Sequence, residues 1–239
     1  MELAKYSFGI GDRFGHQGKA QLAALAKAKQ MGIDITPVWN KSYREHSIIG
    51  TTHADVRAEA DAAVRALGWS EQYCVDADHI SLKTVGEFIP HSDFFTLDVA
   101  DYTGQRAADD AIDSFVADHA YLEGPLTIPG IEERFEISRS TIRDIAGRYL
   151  LAVNEAARIY REIAEHKESH TFVAEVSMDE TDTPQTPVEL LFILAMIADE
   201  GIPAQTIAPR FSGRFNKGVD YVGDVDVFAA EFEQDLLVI

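Results

Sequence analysis

Residues 174–187 read AEVSMDETDTPQTP, and Glu175, Asp179, Glu180 and Asp182 crowd into eight positions directly after an apolar run. A carboxylate at the end of a buried strand is costly unless it binds a metal, is paired or holds a proton. The stretch therefore has two readings. One is a solvated turn that caps the next helix, which accounts for Asp182 and Thr186. The other is a site that binds a cation or moves protons. Glu175 belongs to the second reading, because strand alternation puts Glu175, Ser177 and Asp179 on one face.

Other stretches of the chain offer compatible chemistry. VDADH, residues 75–79, ends a strand candidate in two acids and a histidine. Alternation puts Asp76 and Asp78 on one face and His79 on the other. Carboxylate with imidazole is a usual donor set for Zn, Mn, Ni or Fe, although a histidine in such a place is also often structural. FFTLDVAD repeats the pattern with Asp98. SFGIGDRFGHQGKAQ, residues 7–21, has glycines at 9, 11, 15 and 18 and matches neither a Walker loop nor a dinucleotide fingerprint. Its glycines either bring backbone close to a ligand, with Asp12 and Arg13 at a site, or form a plain turn with a surface Arg–Asp pair. In WNKSYREH, Asn40 and Lys41 end a strand while Tyr43–His46 read as loop. APRFSGRFNKGVDYVGD places Arg210, Arg214 and Lys217 within eight residues. Arg210 is the candidate bidentate clamp for a carboxylate or phosphate, and the other two read as an exposed basic loop. No Ser-His-Asp order, CxxC, HExxH or kinase element occurs. These residue types permit metal-assisted acid–base chemistry on a small polar ligand.

The elements that must carry these groups alternate. Strand candidates at KYSFGIG, DITPVW, QYCVDADH, DFFTLDVAD, HTFVAEVSMDE and AQTIAPRFSG are separated by helical patterns. One helix is expected near 18–31 with Leu22, Leu25 and Met31 on one face. Another follows Ser138 as N-cap, with Ile142, Ile145, Tyr149, Leu150, Val153, Ala157 and Tyr160 at helical spacing. TPVELLFILAMIADEG has Pro187 in its first turn and a closing Gly201. About six βα units with no linker imply a parallel sheet. Polar residues fall at the C-terminal end of nearly every strand, as at the mouth of a (β/α) barrel. The expectation is one TIM-like (β/α) barrel domain over residues 1–239, with six of eight units present and truncated at the C-terminus.

The 239 residues carry a net charge of −19, and no basic stripe is visible, so nucleic acid is not an expected partner. No apolar run reaches the roughly 18–20 residues of a membrane span. The N-terminus lacks a signal-peptide pattern, and the single Cys74 fits a reducing cytoplasm. A homo-oligomer is compatible with the sequence.

SFGIGDRFG, VDADH, FFTLDVADY, EVSMDETDTPQTP and RFSGRFNKGVDYVGD, in this order and spacing, resemble the tagaturonate epimerase family over nearly the whole chain. The resemblance implies a TIM-like barrel with a divalent metal at its mouth. It also implies inversion at C4 of a keto-hexuronate, between tagaturonate and fructuronate, in hexuronate breakdown. It points to Glu175 and His79 as metal ligands. The family's His-Ser-Gly-Ser stretch on the next strand is expected after the point where this sequence ends. The anionic sugar acid would be held among Arg13, Asn40, Lys41, Asp98 and Arg210, and Asp78 and Asp179 would shuttle protons. Two rival readings are another sugar-acid isomerase or aldolase on the same barrel, and a barrel fragment that binds a sugar acid without catalysis.

Overall fold

The computed structural model describes residues 1–179, 181–216 and 219–239, so Glu180 and Lys217 lie outside the described residues. Eight strands run in chain order: β1 Ser7–Gly9, β2 Thr36–Ser42, β3 Cys74–Ile80, β4 Phe94–Asp98, β5 Gly124–Thr127, β6 Arg134–Ile137, β7 Val173–Ser177 and β8 Ala204–Ala208. The helices are α1 Gly18–Gln30, α2 Tyr43–Ile49, α3 His53–Leu67, α4 Val85–Phe88, α5 Asp109–Asp118, α6 Arg139–His166, α7 Pro187–Asp199 and α8 Val225–Val238. Six strands form one parallel sheet in the order β1-β2-β3-β4-β7-β8. Neighbours in space follow chain order, as staves of a (β/α) barrel do, so the fold is α/β with part of a TIM-like barrel. β5 and β6 form a separate antiparallel pair that the alternating sequence pattern did not announce. No described helix is long and apolar enough to cross a membrane.

The chain divides into two compact units. The first contains residues Met1–Asp98, Arg158–Val176 and Ala204–Ile207, and the second Val99–Ala157, Ser177–Pro203 and Ala208–Ile239. In the first unit both faces of the strands are buried, as a parallel sheet requires. Trp39 and Val75 pack with Leu22 and Leu25 of α1 and with Val56, Ala60 and Ala63 of α3. The alternate residues Val38, Cys74, Phe94 and Val173 make a second apolar cluster, one residue from each of four strands, and Met1 and Leu3 pack against it. In the second unit, Ile142, Ala146, Tyr149 and Val153 of α6 and Leu190, Phe192, Ile193 and Met196 of α7 are buried. The hydroxyl of Tyr149 donates to Glu189, whose other oxygen accepts from the Thr186 N–H.

Local chemistry sets the boundaries. Ser42 and Glu45 form a reciprocal cap that starts α2, and Thr186 with Glu189 does the same for α7, with Pro187 in the first turn. Gly50 and Gly68 take left-handed conformations that end α2 and α3. Ser138 Oγ accepts from the Thr141 N–H at the start of α6, as the sequence implied. Two expectations are corrected. Met31 is 71% exposed, because α1 ends one residue earlier and Met31 is its cap. Tyr43–His46 belong to α2 and not to a loop, since the Ser42 cap nucleates a helix immediately after β2.

α2 carries a buried imidazole. His46 Nδ1 lies 2.9 Å from Thr51 Oγ1, and its ring meets His53 edge-on at 4.6 Å. His53 in turn stacks on Phe88 at 3.7 Å. Burial, then the neighbouring His53 and Lys41 charges, push His46 down to about 4, against the pull of Asp55 and Glu45. Between about pH 6.5 and 4 the unfolded chain therefore binds a proton that folded His46 refuses, and stability falls as pH is lowered through that window. Denaturant unfolding at about pH 7 and about pH 4.5 is expected to show His46→Gln losing roughly 1–2 kcal/mol less than wild type across the interval.

Candidate functional site

The inward-facing residues of the first unit change character two positions along each strand. Val38, Cys74, Phe94 and Val173 form the apolar cluster. Adding two to each number gives Asn40, Asp76, Thr96 and Glu175, all polar. Adding two again on β2, β3 and β4 gives Ser42, Asp78 and Asp98. A side-chain period of two thus stacks polar layers on an apolar floor, with the polar layers toward the C-terminal ends of the strands. That end is where (β/α) barrels carry their chemistry. The register agrees between β2 and β3, where Val38, Asn40 and Ser42 lie opposite Cys74, Asp76 and Asp78.

The middle layer joins three strands through one hydroxyl. Thr96 Oγ1 lies 3.0 and 3.1 Å from the two oxygens of Asp76 and 3.3 Å from Glu175 Oε1. Asp76 is 5% exposed. Burial, and then the charges of Asp78 and Glu175, raise its carboxyl well above the usual range, while the Thr96 hydroxyl and His79 oppose this. Burial also raises Glu175, against the Thr206 and Thr96 hydroxyls. Asp76 is the member of the constellation that motif reasoning left without a role. Its signal was present in the sequence, as the VDADH acid that shares a face with Asp78.

His79 departs from the expectation of strict alternation. The β3–β4 register shifts between Ala77 and Ile80, and His79 has φ 54°, the one positive value at a non-glycine among the described residues. A bulge of this kind re-aims a side chain, and a left-handed non-glycine residue costs about 1 kcal/mol or more. The result is that His79 Nδ1 stands 3.5 Å from Asp98 Oδ2 and Nε2 stands 3.7 Å from Asp78 Oδ1. The imidazole is brought to the two acids of the mouth instead of being turned to the opposite face.

Asn40 faces Gly11 so closely that a Cβ there would lie 2.2 Å from the Asn40 carbonyl oxygen and 2.3 Å from Oδ1, so this approach requires glycine. Lys41 is buried on the other face of β2, with Nζ and the Glu59 carboxylate both beside Gly15. Asp12 accepts the N–H groups of Phe14, His16 and Gln17 and so shapes the turn into α1. Arg13 is exposed and pairs with Glu45 at 3.6 Å, so the surface Arg–Asp pair is not formed. Asp179 and Arg210 belong to the second unit. Ser177 Oγ donates to Asp179 at 2.8 Å, and the Arg210 guanidinium donates to the carbonyls of Asp179 and Gly213. Arg214 forms an isolated bridge with Val222.

Carboxylates and an imidazole are suitable donors for a divalent cation, and burial beside other acids raises Asp76 and Glu175. Among the described residues, no group of three or more His, Cys, Asp or Glu side chains is arranged as a metal shell. Glu175 and His79 are of the donor types such an ion takes, and the fit rests on that chemistry and not on an assembled shell. A raised Asp76 keeps its proton to higher pH in the folded than in the unfolded chain, so its contribution to stability falls as pH rises. In metal-free buffer, Asp76→Asn is expected to exceed wild type in stability at about pH 8 by roughly 1 kcal/mol or more, with the gap closing toward about pH 5. Lower stability of the variant at pH 8, read by denaturant melts, contradicts the burial cost assigned to this acid.

Comparison with known proteins adds four findings. The family model described as tagaturonate epimerase matches residues 1–238. A tagaturonate/fructuronate epimerase of Thermotoga maritima is 30% identical over 243 aligned positions, which cover 96% of this chain and 48% of that protein. A glycerol-bound crystal structure of the fructuronate-tagaturonate epimerase of Cohnella laeviribosi superposes with TM-score 0.81 at 22% identity, covering 100% of this chain and 50% of that one. The YdjI aldolase of Escherichia coli K12 superposes with TM-score 0.50 at 8% identity, over 99% of this chain and 63% of that one. The chain spans about half the length of the two epimerases.

Proposed function

The chain belongs to the tagaturonate epimerase family, and from that premise we propose that residues 1–239 carry part of the active site of a metal-dependent enzyme that inverts C4 of a keto-hexuronate, interconverting tagaturonate and fructuronate. The observation that carries this reading is the polar layer of Asp76, Thr96 and Glu175 with His79 forced over it at positive φ. A fold needs neither the enclosed acids nor the strained histidine, and both are typical of sites that move protons. The T. maritima relative bears the name tagaturonate/fructuronate epimerase, and that name supports the substrate class.

Glu175 and His79 are the residues that would hold the divalent cation. When bound there, it would supply Lewis-acid stabilisation of negative charge that develops on substrate oxygen. The protein's own groups have separate tasks. Asp98 and Asp78 flank the two nitrogens of His79 and fix the ring. Asp78 is the group assigned to take a proton from the reacting hydroxyl or carbon and to return it after inversion. Both available routes, carbon–carbon cleavage with re-addition and proton removal with return to the other face, need an acceptor at this place. Asn40 offers an amide to a substrate hydroxyl from the same layer as Asp76.

Incubation of the protein with tagaturonate, with and without a chelator, and chromatography of the keto-acids tests this reading. Fructuronate is expected only with metal present, and Glu175→Gln is expected to lower turnover at least about 100-fold. Conversion that ignores the chelator, or near-normal turnover of the variant, contradicts it.

A further inference from the structure

Glu175 sits on a strand between two neighbours, and each neighbour sets a threonine beside it. On the β4 side the hydroxyl is shared. Thr96 Oγ1 lies 3.0 and 3.1 Å from the oxygens of Asp76 and 3.3 Å from Glu175 Oε1, so its one proton favours Asp76. On the β8 side the Met178 N–H donates to the Ala208 carbonyl at 2.9 Å. An N–H in a parallel pair bonds to the residue before the one it faces, so Met178 faces Pro209. Three positions back along both strands Glu175 faces Thr206, and two positions further back Val173 of the apolar floor faces Ala204. Thr206 therefore carries the polar layer onto β8. Its Oγ1 is buried and has no hydrogen-bond partner among the described residues. A buried hydroxyl is costly to keep in that state, and this one stands beside a carboxylate. The Thr206 hydroxyl also draws the Glu175 carboxyl down against the larger effect of burial, as a nearby donor to the ionised form does.

We propose that Thr206 is a positioning residue, whose hydroxyl donates to the ionised Glu175 carboxylate and fixes the direction in which the free carboxylate lone pairs point. The role rests on the reading of Glu175 as a cation ligand, whereas the contact itself does not. Thr96 cannot do this alone, because its proton is committed mainly to Asp76. Thr206 has its proton to give, and it stands on the opposite flank of Glu175. A carboxylate held from one side by a hydroxyl loses rotational freedom and presents its remaining lone pairs to a cation. Outer support of this kind orients a metal ligand without touching the metal or the substrate. A threonine that only filled space would do none of this, and valine, of nearly the same shape, would serve equally well.

The test uses the whole 239-residue chain as Thr206→Val and Thr206→Ser, each checked for a retained fold by circular dichroism. Magnetic resonance of protein labelled at the glutamate side-chain carboxyl carbons, with Glu175 assigned through Glu175→Gln, reads the contact in metal-free buffer. The Glu175 signal is expected to move in Thr206→Val and to keep its wild-type position in Thr206→Ser. Calorimetric titration of Mn(II) reads the consequence. Affinity is expected to fall roughly 10–100-fold in Thr206→Val and to be retained in Thr206→Ser. A Glu175 signal that ignores the loss of the hydroxyl overturns the inference, whatever the metal data. Mn(II) binding as tight in Thr206→Val as in wild type overturns it too. So do changes that Thr206→Ser shares in full, which would trace to packing. A signal that responds only in Thr206→Val, in a protein that binds no Mn(II), supports the contact and contradicts the metal reading instead.

Discussion

One hydroxyl proton serves two enclosed carboxylates. Thr96 Oγ1 reaches both Asp76 and Glu175, and it has a single proton to give. Two ionised acids cannot share that environment without large cost, so one stays protonated or a cation joins them. The surrounding structure is arranged to hold that conflict in place. Below the layer, Val38, Cys74, Phe94 and Val173 close the floor with Met1 and Leu3. Behind it, Trp39 and Val75 anchor the strands on α1 and α3. The acids therefore cannot relax into water without pulling strands from both apolar clusters.

The layer also explains the strain at His79. An unbroken β3 would send the imidazole to the helix side, where Ala77 is already buried. The register shift between Ala77 and Ile80 and the left-handed φ of His79 set the ring against Asp78 and Asp98 instead. Free energy spent on a bulge that places a histidine between two acids is readily understood as serving proton transfer or ligand binding. Asp78 and Asp98 then act on the ring in a way that hydrophobic patterning alone would not require.

Much of this was legible in the sequence, for physical reasons. The alternation of short apolar runs with helical periods announced the six sheet strands, and the acids of VDADH, FFTLDVAD and EVSMDE were visible at their ends. Asp76 went without a role because its importance comes from Thr96 and Glu175, which are distant in sequence and meet only in the sheet. The turn of His79 was hidden because a bulge depends on pairing with β4. Asp12 and Lys41 looked like site residues because they end strands. Asp12 in fact organises the turn into α1, and Lys41 is buried with Nζ beside Gly15, since the next position along a strand faces the other way. The β5–β6 pair was missed because two four-residue strands leave too short a pattern beside the strong periodicity of α6.

The central proposal is that these acids form an anionic layer that a divalent cation would complete. Calorimetric titration of Mn(II) into metal-free protein, in two buffers of different ionisation enthalpy, tests it most directly. Saturable binding of one ion with proton release, both diminished in Glu175→Gln, is the predicted result, because an acid that holds its proton must yield it to the metal. The absence of saturable binding, or binding that releases no proton and is the same in the variant, would contradict it.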